Sequence, residues 1–291
     1  AIGRQAGYNY NAFSRICMGY TAGYEAGNYS FSVGYQTDSN PYANGGGQHN
    51  IYLGGYRTAY NAAAGDNNIG MGSEALRDVG AYGNAVGIGY RGCREAGNYN
   101  VAVGGYALSS SSANNGMEGN VAIGYGAGEI VTTGDHNILI GRGADLQVTT
   151  ATGNVCVGYQ AESNGNYGVM IGLQAGEFNS GTNGDYNIGI GYRNMYRTGT
   201  GDFNVSIGTE CMQGQYTTGV RNVAIGTSAG SALTAANYCV YLGQIAGGNN
   251  SNGDNQVGIG YRSAYNYSGD NITCVGNQDD TTAHSGSNLT C

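Results

Sequence analysis

Apolar and polar positions along this chain recur as a short unit: asparagine, an apolar residue, a variable residue, a second apolar residue and glycine, with alanine favoured three residues later. GNVAIGYGAG at 119–128, GNVCVGYQAE at 153–162 and RNVAIGTSAG at 221–230 are clear copies. The closing glycine falls at Gly3, Gly19, Gly34, Gly54, Gly72, Gly89, Gly104, Gly124, Gly141, Gly158, Gly172, Gly191, Gly208, Gly226, Gly243, Gly260 and Gly276. That makes 17 copies with a mean period of about 17 residues and spacings from 14 to 20. A short period sustained over a whole chain is the signature of a solenoid, in which each repeat forms one coil.

Within each copy the apolar pair alternates with the variable residue, as in Val121 and Ile123, Val155 and Val157, or Ile188 and Ile190. Period-two alternation on β-branched residues predicts a short strand with the apolar pair on its buried face. The alanines, among them Ala75, Ala127, Ala161 and Ala229, predict a second segment packed close against that strand. The asparagine stands four residues before the glycine, as in the pairs Asn120 and Gly124, Asn137 and Gly141, Asn154 and Gly158, Asn187 and Gly191, and Asn222 and Gly226. Stacked coils would set these amides one above another, bonding the turn backbone and each other. The glycine would let the chain reverse where a β-carbon would clash. Replacing Gly158 with valine is therefore expected to cost a few kcal/mol, and replacing Gly116, in an outward loop at 109–118, to cost little.

Composition agrees with many turns joining short strands: 56 glycines among 291 residues, one proline, no tryptophan and 40% hydrophobic residues. There is no Gly-X-Y triplet period of the collagen kind. Eleven arginines, with no lysine, oppose 19 acidic residues, for a net charge of −8. The arginines are scattered, which speaks against nucleic acid or an anionic membrane surface as partner. No apolar stretch reaches the roughly 20 residues that span a bilayer. The chain opens on AIG, which reads as the tail of a repeat, so it is expected to be part of a longer protein.

The unit Asn-apolar-x-apolar-Gly-x-x-Ala, with NVAIG as its commonest form, resembles the head repeats of trimeric autotransporter adhesins (YadA-like heads). The TTGDHN and TTGVRN connectors and the IGYxAG-type strands are most similar to the tyrosine-rich versions in bacteriophage tail fibres. The resemblance covers nearly the whole chain. It implies an all-β fold: a left-handed parallel β-roll of about 17 coils, two short strands per coil, assembled as a homotrimer. The roll is expected over 1–276, followed by a polar segment at 277–291. Two apolar residues and an alanine per coil also make a thin core for a monomer, which sharing among chains would relieve.

Other motifs add little chemistry. Gly87, Gly89 and Gly92 match dinucleotide-fingerprint spacing, but another repeat follows where that fingerprint needs a helix. The recurrent aspartates Asp66, Asp135, Asp185, Asp202, Asp254 and Asp270 read as turn caps rather than calcium ligands, so no metal site is expected. The seven cysteines show no CxxC or Cys-His spacing and read as free thiols in a reducing compartment. His49, His136 and His284 share no catalytic constellation, and neither enzymatic activity nor a cofactor is expected.

Tyrosine follows the closing glycine at Tyr20, Tyr35, Tyr90, Tyr125, Tyr159, Tyr192 and Tyr261. Stacked coils would line these rings up either as platforms for host-surface sugars, having an apolar face and a polar tip, or packed over one another or into the crevice between chains. The expected function is structural: a tail-fibre segment on a virion, positioning or contributing to attachment to host glycans, with itself as partner. The alternatives are the head of a bacterial surface adhesin, a monomeric surface-binding solenoid, and a depolymerase with carboxylates clustered in a groove.

Overall fold

The computed structural model describes all residues except 9–12, 25–26, 39–46, 61–64, 79–82, 95–96, 110–115, 145–149, 164, 178–183, 197–198, 215–217, 251 and 278–285. The chain is an all-β parallel solenoid with no α-helix among the described residues. It divides into two compact units, Ala1–Ala151 and Thr152–Cys291.

The first unit carries β1 (Ile16–Met18), β2 (Phe31–Tyr35), β3 (Ile51–Tyr56), β4 (Ile69–Met71), β5 (Val86–Ile88), β6 (Val101–Val103), β7 (Val121–Ile123) and β8 (Ile138–Ile140). The second carries β9 (Val155–Val157), β10 (Val169–Ile171), β11 (Ile188–Ile190), β12 (Val205–Ile207), β13 (Val223–Ile225), β14 (Val240–Leu242), β15 (Val257–Ile259) and β16 (Thr273–Val275). Within each unit every strand pairs in parallel with the next in sequence, one strand per coil. The first repeat copy contributes only an isolated parallel bridge, Ile2 to Met18.

Two expectations change. Among the described residues no second strand forms in the coils. The segment after each glycine is a turn whose backbone still bonds the adjacent coil, as in Leu76 N–H to Gly92 O at 3.0 Å and Met212 N–H to Ala229 O at 3.0 Å. The apolar pair, moreover, does not face the core. The middle residue of each strand is the buried one (Ala122, Leu139, Cys156, Met170, Ala224, Tyr241), while the β-branched residues either side are half-buried or exposed. A coil this narrow admits only one strand side chain. The rest of the interior is filled by the alanine (Ala75, Ala107, Ala127, Ala161, Ala175, Ala229 and Ala246) and, in some coils, by the residue after that position: Leu76 and Leu108 follow an alanine, Cys93 follows Gly92 and Met212 follows Cys211.

Interior volume is balanced coil by coil. Buried Tyr52 lies against Gly70, and buried Tyr241 packs against Gly247 and Gly258, where a β-carbon would meet its ring. The closing glycines form a column of their own, all with positive φ except Gly54. Gly158 has φ of +145°, and a β-carbon on it would lie 2.2 Å from Gly172 O. Gly116 also has positive φ, +56°, although nothing lies within 4 Å of its β-carbon position. Substitution there is thus strained by backbone conformation, a cost that spacing alone did not reveal.

Candidate functional site

Six columns of residues stack from coil to coil within the units. The innermost is the asparagine column, buried throughout. Asn120 accepts from the backbone N–H of Asn137 at 2.8 Å and from its side chain at 3.0 Å, while its own Nδ2 donates to Asn100 Oδ1 and Gly134 O. In the second unit Asn154 accepts from Gly168 N–H, Asn187 from Asn204 N–H, and Asn204 from Asn222 N–H. Asn222 in turn donates to Ala236 O and accepts from Cys239 N–H. These amides therefore bond both the turns and each other. Gln256 replaces asparagine late in the chain, accepting from Tyr241 Oη at 2.7 Å and Asn250 Nδ2 at 2.6 Å and donating to Gly269 O.

Two residues earlier lies the aspartate column. Its carboxylates bond the preceding coil: Asp66 accepts from Gln48 N–H, Asp135 from Glu118 N–H, Asp185 from Asn166 N–H, Asp202 from Asp185 N–H, Asp254 from Asn237 N–H and Asp270 from Asp254 N–H, all between 2.7 and 2.9 Å. They act between coils, not only within one turn. No group of three or more metal-binding side chains occurs among the described residues.

On the outside, the strand residues form two parallel apolar columns. In the second unit Val169, Ile188, Val205, Val223, Val240 and Val257 make one column, and Ile171, Ile190, Ile207, Ile225, Leu242 and Ile259 the other. Ile225 is 40% exposed, as is Ile259. The first unit repeats this with Ile51, Ile69, Val86, Val101, Val121 and Ile138 beside Leu53, Met71, Ile88, Val103, Ile123 and Ile140. Neither set includes a charge.

The tyrosines after the glycine are all exposed. Tyr20 and Tyr35 stack at 5.1 Å, and Tyr35 stacks on Tyr56 at 5.8 Å. Tyr90 and Tyr125 are joined edge-on through Tyr106. Tyr159, Tyr192 and Tyr261 are not brought together: Leu173, Thr209, Thr227 and Gln244 hold the same position in the coils between them. A second aromatic column runs at the position immediately before the asparagine or its replacement (Ser30, Gly168, Cys239), and its mixture of Tyr, Phe, His and Arg gives no single repeated signal along the sequence. Tyr29 stacks on His49, and Tyr167, Tyr186 and Phe203 stack in succession at 5.1 and 4.9 Å, with the Arg221 guanidinium 5.3 Å from Phe203 and 5.7 Å from Tyr238. Rings stacked along the coils have neighbours over their faces and turn their edges outward. His136 lies near Gly119, and His284 falls outside the described residues.

No protein-family model and no curated protein matches this chain.

The remaining ionisable groups are structural in their surroundings. Burial opposes ionisation of Glu74, but a 2.8 Å hydrogen bond from Arg91 and the Arg77 charge outweigh it and hold the carboxyl below its usual range. Arg94 and Asp78 extend this ion network. Burial pushes Asp38 up to about 6, against the hydrogen bond from Ser32 Oγ. Burial likewise pushes the Cys93 thiol up to about 12 and Cys211 to about 11, which leaves them protonated and inert at neutral pH.

The expectation that all seven cysteines are free is corrected. Cys17, Cys93, Cys156, Cys211 and Cys239 are free and buried, but Cys274 and Cys291 are disulfide-bonded. They are one coil apart, 17 residues, which puts their Cα atoms 4.5 Å from each other. The end of the 277–291 segment thereby joins the solenoid, with Thr290 bridging Thr273 in parallel.

Proposed function

We propose that this chain is a non-enzymatic segment of a fibrous attachment protein, built as a homotrimer through the outward apolar columns of its strands. The observation that carries the reading is the surface position of Ile123, Ile207, Ile225 and Ile259 and their column neighbours. An uncharged apolar face repeated coil after coil is poorly tolerated by a soluble monomer and suits a long interface between copies of one chain. The repeat's resemblance to YadA-like heads, and most of all to tyrosine-rich bacteriophage tail-fibre repeats, supports the trimer and a virion or extracellular surface as its place. On this reading the solenoid positions attachment to host glycans and contributes to it through exposed tyrosines. The runner-up reading, which the resemblance also accommodates, is the head of a bacterial surface adhesin. Sedimentation or native mass spectrometry tests the assembly: a species at three times 29.9 kDa is expected, and a stable monomer at micromolar concentration would overturn it.

A further inference from the structure

Three coils share the sequence Gly-Tyr-Arg-x-x-Tyr: Gly55 to Tyr60, Gly191 to Tyr196 and Gly260 to Tyr265. The two residues between arginine and the last tyrosine point into the core in each case: Thr58 and Ala59, Asn194 and Met195, Ser263 and Ala264 are all buried. The outward side chains on either side of that inward pair are thus brought to the same corner of the coil. Each arginine is held at positive φ, 50° at Arg57, 46° at Arg193 and 52° at Arg262. Their backbone N–H groups are tied to the preceding coil through Tyr35 O, Leu173 O and Gln244 O. The guanidinium carbon of Arg57 lies 4.9 Å from the Tyr56 ring and 4.8 Å from Tyr60. Arg193 lies 5.8 Å from Tyr192 and 4.7 Å from Tyr196, and Arg262 lies 4.6 Å from Tyr265.

These arginines differ from Arg91, whose guanidinium is spent on Glu74. Among the described residues no carboxylate lies within ion-pairing distance of Arg57, Arg193 or Arg262, although Arg193 acts on Glu177 from further away. Arg57 Nε donates to Gln36 Oε1 at 3.3 Å, whereas the buried Nε atoms of Arg193 and Arg262 have no acceptor. A guanidinium resting on aromatic rings keeps its in-plane N–H groups for another acceptor, and a planar fork of donors matches carboxylate or phosphate oxygens. The adjacent phenol contributes an apolar body and a hydroxyl, which suits a sugar ring carrying the anion.

We infer that the Tyr-Arg-x-x-Tyr corners at Arg57, Arg193 and Arg262 are repeated subsites for an acidic glycan, one bearing carboxylate or phosphate groups. The inference rests on the attachment reading above and names its ligand class. On a chain with a net charge of −8, recognition rests on solvent-accessible ion pairs at these corners and not on a long-range field, and such pairs weaken with salt.

The test is calorimetric titration with trigalacturonate, its methyl ester, and mannose 6-phosphate, at low salt and at 0.5 M sodium chloride. Trigalacturonate or mannose 6-phosphate is expected to bind, which of them does so identifying the anion, with at least tenfold weaker binding at high salt and for the neutral ester. The triple variant R57Q/R193Q/R262Q should lose at least tenfold, and R57K/R193K/R262K should fall between. Equal binding of acid and ester, unchanged binding by a folded triple Gln variant, or no binding of either anion would overturn the inference. If the Gln variant does not fold, the salt and ester comparisons on the unaltered chain decide. Sedimentation of the same samples reports separately on the homotrimer, so a trimer that binds no anion removes this inference and leaves the assembly reading standing.

Discussion

Replacing Gly158 with valine tests the coil geometry directly. The built β-carbon lies 2.2 Å from Gly172 O and 2.6 Å from Gly172 C, whereas ordinary contact begins near 3.4 Å, so two adjacent coils must separate by about 1.2 Å. Two bonds lie beside the clash, Gly172 N–H to Val157 O at 2.8 Å and Gln174 N–H to Tyr159 O at 2.9 Å. Weakening both costs about 1–2 kcal/mol in all. Holding a β-branched residue at φ of +145° adds about 2–3 kcal/mol. The loss is therefore about 3–5 kcal/mol per chain, or a Tm lowered by roughly 10–15 °C for a unit of this size. Gly105→Ala is the control, since its β-carbon would make ordinary contacts with the Tyr125 ring from 3.5 Å and its φ is not positive. Gly116→Ala falls between, at about 1 kcal/mol, from its φ of +56° alone. Thermal denaturation followed by circular dichroism measures all three. Equal melting of the Gly158 and Gly105 variants would refute the close approach of adjacent coils at this column.

Ile225→Asp should leave a folded coil but break self-association in sedimentation, whereas Ala224→Asp, one residue away and fully buried, should abolish folding through an unpaired charge in the core. If both variants behave alike, the assignment of inward and outward strand faces is wrong. Asp38, with a folded pKa raised from 3.8 to about 6, binds its proton more tightly in the folded chain. Its penalty is absent below about pH 4 and fully present above about pH 6, costing about 3 kcal/mol at most; Asp38→Asn should flatten that dependence in urea titrations from pH 4 to 7. Thiol titration with a disulfide reagent should find no fast-reacting cysteine in the native chain, five after denaturation and seven after reduction; seven without reduction would remove the Cys274–Cys291 bond.

Much of the fold was legible along the chain because each local signal repeated. NVAIG placed β7 at Val121–Ile123 and β13 at Val223–Ile225, and the asparagine four residues before each glycine fixed the amide ladder, since parallel stacking of equal coils puts like residues over like. Tyr20 and Tyr35 were placed side by side by the same logic. Alternation did not say which face of a three-residue strand is inside, because period two defines two faces and only the width of the coil chooses between them. The interior takes one side chain per strand, Ala122 or Ala224 in some coils and Leu139 or Tyr241 in others, so the apolar pair either side of it went outward against the usual rule. The tertiary structure also decided what depends on coil-to-coil distance: the Cys274–Cys291 bond, the bonding of each aspartate to the coil before it, and the exchange of volume that lets Tyr241 enter the core beside Gly247 and Gly258. Repetition along the sequence determines which residues stack, while the space enclosed by a coil determines which way they point.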